Sequence, residues 1–343
     1  MARPHDPRLA RALGPFRDVL ARAISACATS RPHVLLACSG GPDSLAMVGL
    51  ADLTRRSLNF VATVAHVDHG LRERSGQEAD VVEKISQSWE MPFVTSRLEL
   101  CPGPGLPARA RDARRAALRE HARRCGADVV ALGHTATDQA ETMLMNLSRG
   151  AGLEGVAAMA PVDLPWVRPM MALSRVEARA LAAGFDRPFV DDPTNRDRAH
   201  FRVRVREQVL PLLRSENPRL ERALCSAASQ ARDAEDALQG WAARELEVRR
   251  GAGGVWQLTG LNDLPRAVRV RIIRRICRMG GADLQQLGSR VVEAVDAAVL
   301  AQLRARRESG PGIRPKSWDL HPEVRVRVDK SGIVVNRASA SNH

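Results

Sequence analysis

The stretch VLLACSGGPDS, residues 34–44, runs a short apolar segment into Ser39-Gly40-Gly41-Pro42-Asp43-Ser44. An apolar run closed by such a loop reads as a strand ending in an anion cradle. Glycines let backbone N–H groups come close to a bound anion. Pro42 suits the first turn of a helix, and a helix N-terminus favours negative charge. Ser39 and Ser44 add hydroxyl donors. The loop is not a Walker A loop, because G-x-x-x-x-G-K-[ST] is absent. It is not a nucleophile elbow, because G-x-S-x-G is absent. It carries Asp43 instead. A carboxylate beside phosphates repels them unless a cation lies between, and Mg²⁺ shared by carboxylate and phosphate oxygens resolves that conflict. The plainer alternative is a tight turn with a helix cap. Gly-Gly alone would favour it; strand, S-G-G-x-D-S and helix together favour the phosphate site.

Outward from this loop the chain alternates. Apolar runs at 33–38, 60–67, 92–98 and 128–133 read as strands, and helical spacing fills 43–54, 76–89, 107–125 and 138–148. Leu9, Leu13, Phe16 and Leu20 place a further amphipathic helix within residues 1–30. Nearly continuous apolar strands separated by helices imply an α/β fold, a Rossmann-like parallel sheet with helices on both faces. In such sheets ligands bind beyond the carboxyl ends of the strands. A Pro-rich loop (101–107) interrupts the alternation, residues 150–161 read as a small-residue linker, and WVRPMM (166–171) reads as a strand. The loop DDPTN (191–195) then precedes a helix over about 200–213.

From Asn217 onward helical patterns dominate, at 218–250, 264–279 and 283–306. Period-two alternation in EVRVRVDKSGIVV (323–335) around Gly332 predicts a β-hairpin. Two domains are expected: residues 1–216, holding the phosphate loop, and residues 217–343, smaller and mainly helical, with a terminal hairpin.

The chain has 343 residues and a formal net charge of +13, and a surplus of that size favours a polyanionic partner such as nucleic acid. Only Lys84, Lys316 and Lys330 are lysines. A compositional bias can explain arginine in place of lysine, but not the excess of positive over negative charge. No apolar run approaches the roughly 18–20 residues of a membrane span, and the N-terminal residues lack the apolar core of a signal peptide. A cytoplasmic protein without membrane contact is expected. Its cysteines, none in a C-x-x-C pair, read as reduced and structural.

The loop SGGPDS resembles the signature of the PP-loop ATP pyrophosphatases, which cleave ATP between its α- and β-phosphates and transfer AMP to a substrate oxygen. Three further stretches resemble one branch of that superfamily, the tRNA(Ile)-lysidine synthetases: AHVDHGLR (65–72), GHTATDQAETMLMNLSRG (133–150) and DDPTNRDRAHFRVRVR (191–206). LPRAVRVRIIRRICRMGG (264–281) resembles that family's C-terminal region more weakly. The resemblance implies an adenine nucleotide α-hydrolase-like fold. It also implies ATP as substrate, Mg²⁺ as cofactor, and L-lysine and a CAU-anticodon tRNA(Ile) as partners, and it allows a homodimer. ATP would adenylate the carbonyl oxygen at carbon 2 of the wobble cytosine, and the lysine ε-amine would displace AMP to give lysidine.

Candidate residues follow from the loops and from this resemblance. Ser39, Gly40, Gly41, Pro42, Asp43 and Ser44 would hold ATP, with Asp43 also the Mg²⁺ ligand and a catalytic residue. The matching motifs imply nucleotide contacts for His66, Gly133 and His134. His66 and His69 have H-x-x-H spacing, but a metal site would need a third ligand. Asp138 and Glu141 lie three apart on a helix that follows a strand, so they share a face. They are candidates to orient the lysine amine and take its proton. An isolated D-x-x-E would read as an acidic first turn favoured by the helix dipole. Arg111 and Arg114 match the family's A-R-x-x-R-Y pattern, where Arg115 replaces the tyrosine. Arg202, Arg204 and Arg206 follow the DPTN loop, where Val203 replaces an asparagine of the family pattern. As a group these five arginines are expected to contact tRNA. The family also commonly carries an acidic residue where Thr137 stands. A tRNA 2-thiolation enzyme of the same superfamily and a non-catalytic nucleotide- or RNA-binding protein remain alternatives. The first would need cysteines for sulfur transfer, and the second would show a degraded loop.

Overall fold

The computed structural model describes residues 7–68, 70, 75–101, 103–190, 200–251, 254–282, 288–308, 313–321 and 324–337. His69 and the DDPTN loop lie outside them. The chain forms two compact units, Met1–Arg232 and Asp233–His343.

The first unit opens with helix α1 (Pro7–Ile24), which buries Phe16 and Leu20 as its spacing predicts. Strand β1 (His33–Ala37) leads through the phosphate loop into α2 (Pro42–Arg55). Then come β2 (Val61–Asp68), α3 (Ser75–Ser88), β3 (Phe93–Arg97), α4 (Leu106–Cys125), β4 (Val129–Leu132) and α5 (Ala136–Ser148). A short helix α6 (Leu153–Ala157) occupies the segment expected to be a linker. Two short strands follow, β5 (Val162–Asp163) and β6 (Trp166–Val167), and then α7 (Arg175–Gly184). WVRPMM is therefore a strand only in its first two residues, because Pro169 has no N–H to offer a neighbouring strand.

The strand order is β3-β2-β1-β4-β6-β5, parallel except for the β5–β6 pair. Alternate residues face opposite layers. Val34, Leu36, Val64, Val129 and Val167 pack with α1, α2, α3 and α7. Leu35, Ala65, Val130, Leu132 and Trp166 pack with Leu118 and Ala122 of α4. The strand order runs one way from β1 to β3 and the other way through β4. The crevice at the carboxyl ends of β1 and β4 is thus the switch point, where such sheets bind ligands. The phosphate loop follows β1, and GHTATD follows β4.

The helix expected over 200–213 is present but compound. It comprises α8 (Phe201–Arg204), one π turn (Val205–Val209) and α9 (Leu210–Glu216). Pro211 lies just past the π turn, where a missing N–H and ring bulk disturb the regular ladder. Helix α10 (Leu220–Glu247) carries the division between the units. The units part at Arg232/Asp233 rather than at the sequence-based boundary of 216/217. The reason is packing: Leu220 and Leu224 of α10 join Ala140, Val205 and Leu210 in a core of the first unit.

In the second unit, α11 (Arg266–Met279) and α12 (Ser289–Arg307) pack over an antiparallel sheet. That sheet holds β7 (Val255–Trp256), β8 (Lys316–His321), β9 (Val324–Val328) and β10 (Ile333–Arg337), in the order β7-β10-β9-β8. The predicted hairpin is β9–β10. Strands β7 and β8 add to it, so the unit is more β-rich than expected. Strand β7 has only two residues, and β8 places just Trp318 and Leu320 at alternate positions, which leaves period two little to register.

Candidate active site

The phosphate loop is shaped by its own hydroxyls and by glycine. Ser44 Oγ donates to Gly41 O at 2.9 Å, accepts from Ser39 N at 3.2 Å and lies 3.3 Å from Ser39 Oγ. Gly40 has φ +83°, a left-handed backbone that side chains rarely adopt, and Gly41 precedes α2 with Pro42 in its first turn. A helix's first amides have no intrahelical acceptor, so α2 presents donors where the loop curls. The loop after β4 closes the crevice from the other side. A Cβ on Gly133 would lie 3.2 Å from Ser44 Cα and 3.3 Å from Ser44 N. A side chain there would push the two loops apart by a few tenths of an ångström.

Asp43 stands inside this crevice. Its Oδ2 is 3.4 Å from Arg175, while its Oδ1 is buried with no hydrogen-bond partner. Burial pushes its carboxyl up to about 6; Arg175 opposes this, Asp138 adds to it, and Arg206 and Glu141 make smaller opposing and reinforcing contributions. The protein therefore holds a carboxylate that it does not neutralise well.

Asp138 and Glu141 share one face of α5, as their spacing predicts, and both are buried. Asp138 caps its own helix: its Oδ2 accepts from Thr135 N at 2.9 Å and Thr135 Oγ1 at 2.8 Å. Its Oδ1 lies 3.1 Å from Arg202 and 3.5 Å from Arg175. Burial opposes ionisation, but Arg175, Arg202, His134 and the Thr135 amide outweigh it and bring the Asp138 carboxyl down to about 2. Glu141 is fully enclosed. Its Oε2 accepts from Arg202 Nε at 2.6 Å and from Arg206 at 2.9 Å, and its Oε1 accepts from Arg206 Nε at 2.5 Å. Two of the arginines read from sequence as tRNA contacts thus bind the two carboxylates read as catalytic. The Arg204 guanidinium lies 5.5 Å from the centre of the Phe201 ring.

Thr137, which replaces an acidic residue of the family pattern, bridges elements. Its hydroxyl donates to Glu221 of α10 at 3.4 Å and accepts from Arg175 N at 3.1 Å. A carboxylate from a distant segment thus comes beside position 137, itself paired with Arg214.

His66 ends inside the sheet edge. Its Nδ1 lies 3.0 Å from Cys38 O, and its buried Nε2 has no partner. His134 has an unpartnered buried Nδ1. Burial brings its imidazole down to about 4, with Asp138 opposing and Arg114, Arg168 and Arg202 reinforcing. It is therefore neutral at pH 7. Among the described residues no cluster of three His, Cys, Asp or Glu side chains could hold a metal alone.

Arg111 is exposed on α4 and Arg114 half-buried beside it. Arg115, at the family's tyrosine position, sits with its guanidinium 4.8 Å from the centre of the Trp166 ring, and Arg119 lies 5.1 Å from the same ring. Val203 is buried, as an apolar replacement for asparagine permits.

Two residues at the site were not read from sequence. Arg175 reaches both Asp43 and Asp138. Its signal was present: Ser174 and Glu177 form a capping box, which marks a helix beginning at Arg175 beyond the β6 strand. Arg168 follows β6 and is also buried. A single arginine after a two-residue strand gave no pattern to detect.

These groups fit a magnesium nucleotide. Asp43 Oδ1 is a buried, unpartnered and poorly neutralised anion, suited to a hard cation whose other ligands would be phosphate oxygens and water. The α2 amides and the Ser39 and Ser44 hydroxyls suit the phosphates.

A PP-loop domain family matches residues 16–213, which cover the sheet and both loops of the crevice. The chain is therefore a PP-loop protein. Curated relatives narrow this. The tRNA(Ile)-lysidine synthase of Thermobifida fusca is 39% identical over 82% of this chain and 87% of its own length. That of Streptomyces coelicolor is 39% identical over 78% of each chain. The chain belongs to the tRNA(Ile)-lysidine synthase family. Among solved structures, the U34-tRNA thiolase NcsA from Methanococcus maripaludis aligns with a TM-score of 0.55 at 18% identity, covering 65% of this chain and 78% of that one. That likeness shows a shared fold. Among the described residues no helix is long and apolar enough to cross a membrane.

Proposed function

We propose that this chain is an ATP-dependent ligase that joins L-lysine to carbon 2 of the wobble cytidine in CAU-anticodon tRNA(Ile). The cytosine O2 attacks the α-phosphorus of ATP, and the bond to the β-phosphate breaks to release pyrophosphate. The lysine ε-amine then attacks carbon 2, AMP leaves with the former carbonyl oxygen, and the amine gives up a proton. Adenylation is needed because the oxygen would otherwise leave as oxide. The observation that carries this reading is the crevice between β1 and β4, where Asp43, in the first turn of α2 and within the Ser39–Ser44 loop, holds a buried oxygen with no hydrogen-bond partner.

In this reading Ser39 to Ser44 hold the leaving pyrophosphate, and Gly133, His134 and His66 border the nucleotide. Mg²⁺ held through Asp43 supplies charge neutralisation for the phosphates. Neutral His134 offers a hydrogen bond without adding charge. Asp138 and Glu141 receive the lysine ammonium. Both carboxylates are engaged by Arg202 and Arg206 in the free protein, so RNA phosphates must draw these arginines away before the pair can orient the amine. Arg111, Arg114 and Arg204 extend the RNA contact. A cytoplasmic setting and a homodimer accord with the family.

The test mixes the protein with ATP, Mg²⁺, labelled lysine and a transcript bearing a CAU anticodon. Lysine becomes RNA-linked, and AMP and pyrophosphate appear in equal amounts. Consumption of ATP only with a sulfur donor, or no lysine incorporation, would overturn the assignment in favour of thiolation or a non-catalytic role.

A further inference from the structure

Arg168 is 6% exposed, yet among the described residues it makes no ion pair, and the one carboxylate that acts on it is the exposed Asp163. One of its terminal nitrogens donates to Ala160 O at 2.7 Å, and its Nε is buried without any partner. The register that pairs Ala131 with Val167 puts Arg168 one position on, level with Leu132 and just short of Gly133 and His134. It therefore sits at the ligand-binding edge of the sheet, on the side away from β1.

Its neighbours are cationic. Burial lowers the Arg168 pKa, Asp163 opposes this, and Arg115 and Arg232 reinforce it. Asp163 itself is exposed. Arg114 is similarly lowered by burial, then by Arg111 and Arg115. Arg115 and Arg119 are held over the Trp166 ring rather than by acids, and a ring quadrupole attracts a cation without cancelling its charge. Among the described residues none of Arg114, Arg115 and Arg168 is ion-paired. A buried cation without an ion-pair partner is costly, and one with further half-buried cations beside it favours an anion. The phosphate loop's own donors lie at the start of α2, which packs on the opposite face from α4, so the nucleotide's phosphates have a separate cradle.

We propose that Arg168, together with Arg115 on its Trp166 platform and the adjacent Arg114, forms a binding site for an RNA phosphodiester that fixes the substrate strand beside the crevice. This rests on the ligase reading above, to which it adds Arg168, Arg115 and Trp166.

The test compares Arg168→Met and Arg115→Leu with the unaltered full chain. Binding of the CAU-anticodon transcript is measured over a range of salt, and ATP–Mg²⁺ binding is measured separately. Each substitution lowers transcript affinity roughly tenfold and reduces the salt slope by about 1, as for one lost phosphate contact. ATP affinity does not change. Arg168→Met keeps or raises the melting temperature, because it removes a buried charge that only the exposed Asp163 offsets. Unchanged transcript affinity and slope would overturn the proposal, and so would loss of ATP affinity with RNA binding intact. A lower melting temperature with RNA binding intact would make Arg168 structural and also overturn it. If Arg168→Met does not fold, Arg115→Leu decides by the same salt slope. Failure of the unaltered chain to bind the transcript counts against the ligase reading. Binding by that chain with no loss in the variants counts against this site alone.

Discussion

Replacing Asp43 by asparagine should stabilise the ligand-free protein while abolishing pyrophosphate release. The carboxyl rises from 3.8 to about 6 in the fold, with burial the largest cause and Arg175 already counted against it. At ~1.4 kcal/mol per pKa step, ionising Asp43 costs the folded state at most ~3 kcal/mol. Its side chain is 18% exposed, so solvent screening reduces this to about 1–3 kcal/mol. The sign follows from proton binding. The folded state holds the proton more tightly than the unfolded chain, so stability falls as pH rises from about 4 through 6 and the full cost applies above that. Asparagine carries no such charge. Thermal unfolding without nucleotide should give Asp43→Asn a melting temperature higher by about 2–8 °C at pH 8, with the gap closing towards pH 4. Adding ATP and Mg²⁺ should raise the wild-type melting temperature more than the variant's. A variant less stable than wild type by the same margin at both pH values would refute the idea of a poorly compensated carboxylate, whatever its activity.

Glu141→Gln leaves Arg202 and Arg206 without their shared partner and should cost about 3–5 kcal/mol in urea unfolding; a cost below 1 kcal/mol would mean the arginines re-pair elsewhere. Gly133→Ala puts a methyl 3.2 Å from Ser44 Cα and should raise the KM for ATP at least tenfold for a stability loss of about 1–3 kcal/mol. An unchanged KM would show that the loops can part freely. His134 is brought down to about 4 by burial, so the unfolded chain binds its proton first, and the stability it contributes is complete above pH 6.5 and lost as pH falls towards 4. His134→Gln should flatten that acid limb in a pH–stability profile; an identical limb in the variant would place the titration elsewhere.

Much of the first unit was legible because its signals are local. Apolar runs, turn glycines and helix spacing placed β1 to β4 and α2 to α5 within a residue or two, and the two crevice loops follow strands as expected. Less was legible after residue 150. Helix α6, the shortness of β6 and the start of α7 depend on a few residues each. The second unit's extra strands β7 and β8 are held by pairing with a neighbouring strand rather than by their own pattern.

The candidate site divides in the same way. Ser39 to Ser44, Asp138 and Glu141 could be named from sequence, because residue type and position after a strand determine which groups reach the sheet edge; Arg202 and Arg206 followed from the family resemblance, and Arg175 and Arg168 were not read. What those groups do to one another could not be read. Arg202 and Arg206 lie more than sixty residues from Glu141 along the chain, and Glu221 reaches Thr137 from farther still. Charge compensation acts through space, so only the tertiary structure decided that Asp43 is left poorly neutralised while Asp138 and Glu141 are saturated. The same applies to Arg168, whose burial beside other cations comes from the pairing of β4 with β6. The sequence alone determined the fold class and the phosphate loop, because backbone geometry and apolar periodicity are local properties.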